Sequence, residues 1–100
     1  MKLLVQYPGL DYGVARSLSI YPDHVEVRRT NGGEDVIAAM WLRHVEGVSL
    51  RTVAGVTFLD VLGRDGGVLT MPMRDARDAV AAKNILQAMV REEQSELHAI

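Results

Sequence analysis

The segment MPMRDARDAV (residues 71–80) packs a proline, two copies of Arg-Asp-Ala and a change of hydrophobic period into ten residues. Asp75 and Asp78 could form a carboxylate pair for acid–base work, and Arg74 and Arg77 could bind an anion beside them. Their position favours another role. The hydrophobic period changes from two to 3.6 just after Met73, so Asp75 falls at the N-cap of a helix and Asp78 three residues on, where a capping-box acid sits. Both charges suit the positive pole of that helix, and Arg74 and Arg77 are i, i+3 neighbours able to shield them. The repeat reads as the seam between strand and helix.

The remaining polar candidates are sparser. His24, His44 and His98 lack metal-type spacing. His44 and Glu46 would share one face of a strand and could offer two ligands, whereas a closed metal centre takes about four. Asp60 and Asp65 read as strand-end and turn residues, with nothing to make them converge. No Gly-x-Gly-x-x-Gly, Walker loop or Gly-x-Ser-x-Gly occurs, so the nucleotide and acyl-transfer readings lack their anchor. Arg16, Arg28 and Arg29 flank one hairpin and are the candidate cationic contact. Trp41, the only tryptophan, is expected in the core beside Met40 and Leu42; exposed, it would be an interface anchor. Met71 and Met73 share a strand face and are expected under the helix.

These residues must be positioned by short strands. VARSLSI (14–20) alternates, with Val14, Arg16, Leu18 and Ile20 opposite Ala15, Ser17 and Ser19. HVEVRR (24–29) alternates as well, and YPDH between the two is a turn-former. TNGGED (30–35) is the next turn. VIAAMWL and HVEGVSLR follow, with Val45, Val48 and Leu50 as core candidates, then GVTFLDVL (55–62), the Asp65-Gly66 hairpin signal and VLTMPM (68–73). KLLVQY (2–7) makes a seventh strand. From about 75 to 95 the spacing of Ala82, Ile85, Leu86 and Met89 predicts one amphipathic helix, with Asn84, Gln87, Arg91 and Gln94 as its polar stripe. Burial of Ile85, Leu86, Met89 and Val90 would contribute on the order of 6–12 kcal/mol gross. Glu92, Glu93 and Glu96 lie at the negative pole, so residues 92–100 are expected to fray.

The bulk numbers bound the class. One hundred residues make one domain, 1–100, with a single core. The net charge of -2 gives no field to hold nucleic acid. No apolar run approaches the roughly 18 residues of a membrane span, no signal peptide is legible, and without cysteine there is no thiol chemistry. A cytoplasmic location is the expectation.

Seven strands followed by a helix is the order of the pleckstrin-homology-like superfold, and the sequence resembles its small bacterial members. LSIYPDHVEVRR looks like their first hairpin, AMWLRHVEGVSLR like their apolar-Pro-Leu-x-x-Ile-x-x-Val segment with Trp41 at the proline position, and VLTMPMRDARDAVAAKNILQAM like the last strand and capping helix. The resemblance covers about residues 14–91. It implies a mostly β fold: two nearly orthogonal sheets in a sandwich or partly open barrel, one end plugged by the C-terminal helix. It also implies an interaction or assembly module, often oligomeric. Members that bind phosphoinositides carry a basic cluster around the first hairpin loop, which the short YPDH here lacks.

The expectation is therefore a non-enzymatic, self-associating interaction module without cofactor or metal, its protein partner unidentified. Its contact would include the edge strand with Leu3, Leu4 and Val5, where only Lys2 guards against pairing. The alternative is a peripheral binder of anionic membranes through Arg16, Arg28 and Arg29.

Overall fold

The computed structural model describes residues 2–10, 15–29 and 35–98. Strands β1 (Val5–Pro8), β2 (Arg16–Ile20), β3 (His24–Arg29) and β4 (Asp35–Trp41) form a four-stranded antiparallel sheet in chain order. A single 3-10 turn, Leu42–His44, leads to β5 (Val45–Val53), β6 (Val56–Gly63) and β7 (Val68–Met73), which form a three-stranded antiparallel sheet. One helix, α1 (Ala76–His98), follows. The two sheets form a sandwich capped by this helix and do not close into a barrel.

Alternation in the sequence sets the inner faces. Leu18 and Ile20 of β2, Val25 and Val27 of β3, Leu59 and Val61 of β6, and Leu69, Met71 and Met73 of β7 all lie in one core cluster. The two methionines pack there as expected. From the helix come Ala79, Ala82, Leu86 and Val90, all buried. Ile85 and Met89 only flank the cluster, so the buried stripe lies one step round from the predicted centre. Gln87, placed on the polar stripe, instead turns toward β5 and donates to the Val48 carbonyl at 3.3 Å.

The helix starts where the repeat placed it. Asp75 Oδ1 accepts from the Arg77 backbone N–H at 2.8 Å, and the Asp75 carbonyl accepts from Ala79 N–H at 3.1 Å. This is N-cap geometry, and it answers for Asp75 without a carboxylate dyad. The helix runs through His98, past the expected end near 95.

Several expectations need correction. Trp41 is not in the core: it ends β4 with 48% of its surface exposed, because the inward positions of that strand belong to Ala38 and Met40. His44 and Glu46 do not share a strand face, since His44 lies in the 3-10 turn and β5 begins at Val45. Asp60 is no strand end. It sits mid-strand in β6, buried, held by Arg51 Nε at 2.7 Å and Thr70 Oγ1 at 2.8 Å. Asp65 is a turn residue, accepting from Gly67 N–H at 2.9 Å. KLLVQY begins pairing at Leu4, whose N–H donates to Ile20, and continues as β1 to Pro8. Val14 and residues 30–34 of the second turn lie outside the described residues.

Candidate functional site

The outer face of the four-stranded sheet carries most of the polar architecture. Partners in an antiparallel pair share a face, so Gln6, Ser19, Glu26 and Ala39 form one row across the sheet, and Ser17, Arg28 and Val36 another. Gln6 Nε2 donates to Ser17 Oγ at 3.0 Å and to Ser19 Oγ at 3.1 Å. That cover leaves both serines buried, although alternation alone would leave them in solvent.

His24 stands at the end of this face, opposite Trp41 on the neighbouring strand. Its Nδ1 lies 2.6 Å from Asp23 Oδ1 and its Nε2 3.0 Å from Glu26 Oε1. The second oxygen of Glu26 accepts from Arg28 Nη1 at 2.7 Å. Tyr21 stacks on the imidazole with centroids 4.5 Å apart, and Trp41 meets it edge-on at 5.6 Å. The Arg43 guanidinium lies 5.5 Å from the centre of the Trp41 ring.

Partial burial pulls the His24 pKa down, but hydrogen bonds to Asp23 and Glu26 and their charges outweigh it and hold the pKa above 6.5. Burial pushes Glu26 up, while Arg28 and His24 draw it below its ordinary 4.5. Both imidazole nitrogens face carboxylates, so the ring offers no lone pair to a substrate proton or a metal ion. Among the described residues no group of three His, Cys, Asp or Glu side chains is placed to hold a metal.

The three arginines do not converge. By register Arg28 is on the outer face, whereas Arg16 and Arg29 oppose each other on the core-side face, beyond the apolar cluster. Arg28 pairs with Glu26 and Arg29 with Asp35. No helix among the described residues is long and apolar enough to cross a membrane.

The sandwich has four strand edges, and they are treated differently. The β5 edge lies under α1, with Gln87 bonded to Val48. The end of β7 is sealed by the end of β1 and the residues after it: Leu10 N–H donates to the Pro72 carbonyl and Arg74 N–H to the Pro8 carbonyl. A side chain at Gly9 would overlap Met71 in this seam. The β1 edge before Pro8 has no strand beside it among the described residues, with Leu3 and Leu4 exposed and Val5 half-buried. The β4 edge has no strand beside it among the described residues. Along it Val36, Ile37 and Trp41 are each about half exposed. Between the end of β4 and the β6–β7 hairpin lies a groove of 310 Å³, lined by Met40, Trp41, His44, Asp65 and Val68. A second groove, of 290 Å³, lies between β5 and α1 beside Glu46, Gln87 and Arg91.

Of the residues singled out in the sequence, Trp41 belongs to this open corner, and Leu3, Leu4 and Val5 lie at the opposite edge of the same sheet. The network around His24 was missed. Its one signal was DHVE, a histidine flanked by acids at i−1 and i+2. Compared with known proteins, the sequence matches no family model and no curated protein.

Proposed function

We propose that this chain is a non-enzymatic interaction and assembly module of pleckstrin-homology-like type that associates with copies of itself through the edges of its four-stranded sheet. The observation that carries this reading is β4, an edge strand with no strand beside it among the described residues, whose Val36, Ile37 and Trp41 stand about half exposed. Unpaired edge groups and apolar side chains together form a template for strand addition. Natural edges are blunted by charge, and positions 36–42 of this strand and turn carry none. A bulge at Ile37 kinks the strand, which leaves 38–41 as the regular edge. The opposite edge, with exposed Leu3 and Leu4, carries Lys2 as its one charge before Pro8.

A second copy suits these edges because net charge is small and both edges belong to one sheet. β4 of one copy meeting β1 of the next extends that sheet head to tail, as a ring where the rotation closes and as a filament where it does not, whereas β4 meeting β4 gives a two-fold dimer. The pairing of Arg28 and Arg29 with acids favours this reading over membrane binding.

Light scattering at micromolar concentration tests it. The expected result is a mass of two or more chains, lowered by Ile37→Lys, by Leu4→Lys or by both. A strict monomer whose mass neither variant alters would overturn the reading.

A further inference from the structure

We propose that His24 is a proton-operated switch for the Trp41 surface: its protonated ring clamps the turn before β3 to the edge strand, and loss of the proton releases one side of the clamp. The imidazole lies between Tyr21 and Trp41 and between two carboxylates. The Leu42 N–H, one residue past Trp41, donates to the Asp23 carbonyl at 2.9 Å. The turn and the end of β4 are therefore joined both through backbone and through rings.

The charged groups around the switch come from every neighbouring element. Asp23 comes from the turn, Glu26 and Arg28 from β3, and Arg43 from the 3-10 turn. His44, also in that turn, lines the groove beside Trp41 and is the second histidine near the switch. β2 contributes Ser19, which is neutral and bonded to Gln6.

As imidazolium, His24 donates from both nitrogens. The neutral ring has one N–H, so one nitrogen would present a lone pair to a carboxylate oxygen within hydrogen-bond distance. Glu26 keeps Arg28 when it loses His24. The Nε2–Glu26 contact is therefore the one that opens, and the ring swings about its bond to Asp23. Trp41 then loses a cationic neighbour and its edge-on packing. Control of association by this switch rests on the self-association reading above; the switch itself does not.

Two titrations of the whole chain test the switch. Trp41 is the only tryptophan, and a protonated imidazole quenches indole emission more than a neutral one does. Emission is expected to rise with pH at a midpoint shared with the His24 ring protons in NMR. Glu26→Gln should move that midpoint downward. His24→Gln should abolish the rise while circular dichroism stays native, and His44→Gln should leave it in place. A flat emission profile in folded protein, or a rise that survives His24→Gln, would overturn the switch.

Light scattering at pH 5.5 and 8.5 then separates the two proposals. A mass that changes with pH in the native chain, but not in His24→Gln, supports control of association. An oligomer of equal mass at both values overturns that control and leaves self-association standing. A monomer at both values overturns self-association, and the emission titration still decides the switch.

Discussion

At the scale of single residues, the side chains that looked most chemical are spent on structure. Asp75 caps a helix, and Asp60 neutralises Arg51 and accepts from Thr70. His24 and Glu26 have displaced pKa values, and their linkage to folding has a definite sign. The raised His24 pKa contributes stability that is complete below 6.5 and is lost as pH rises through the folded value. The lowered Glu26 pKa contributes stability that is complete above 4.5 and is lost as pH falls through the folded value. Both contributions are complete only between 4.5 and 6.5. The melting temperature should therefore fall on the alkaline side of that window less steeply in His24→Gln than in the native chain. Thermal melts at stepped pH check this, and parallel profiles for the two proteins would contradict it. Asp75 was legible in sequence because a cap is a local event. The His24 cluster was not, because Trp41 joins it only through the β3–β4 register.

At the scale of elements, alternation and turn chemistry found β3 and β7 to the residue. They failed where tertiary packing overrode the local pattern. The run from 36 to 51 does hold the two expected strands, β4 and β5, but the 3-10 turn between them, which takes His44 out of β5 and carries the chain from one sheet to the other, had no local signal. Ser17 and Ser19 looked exposed until Gln6, more than ten residues away, covered them. The β5–β6 turn was also silent. Ala54 and Gly55 both have positive φ, 51° and 81°, between the paired Val53 and Val56. That is the two-residue hairpin turn that prefers Asn-Gly. A left-handed Ala costs roughly 1–2 kcal/mol relative to its ordinary conformation, and Asn tolerates the region better. Ala54→Asn should therefore stabilise the fold by about 0.5–1 kcal/mol, read as a higher denaturant midpoint at unchanged slope. A lower midpoint would show that the turn relaxes its strain elsewhere.

At the scale of the whole molecule, the question is what the two sheets could do without the helix. One corner is sealed by the end of β1 and the residues after it, the Pro8 carbonyl accepting from Arg74 N–H and Leu10 N–H donating to the Pro72 carbonyl. The corner between β4 and β7 stays a groove. The remaining exposure falls to α1, which packs on β5, β6, β7 and the 3-10 turn. Without it Leu42, Val45 and Val48, now buried, would lose their cover. The buried stripe of the helix includes two small residues, Ala79 and Ala82, while Ile85 and Met89 only flank the core. Leu86 and Val90, with part of Ile85 and Met89, still contribute on the order of 5–10 kcal/mol gross, as much as the net stability of a small domain. A chain ending at Asp75 keeps all seven strands and every residue of the His24 network. It should nonetheless lose its cooperative melt and bind a hydrophobic dye, because the sheets cannot turn their inner faces to each other at the end the helix covers. Calorimetry of residues 1–75 decides the matter. A sharp transition with native-like enthalpy per residue would mean that the sandwich is complete without its helix, and that α1 is an accessory docked on a finished core.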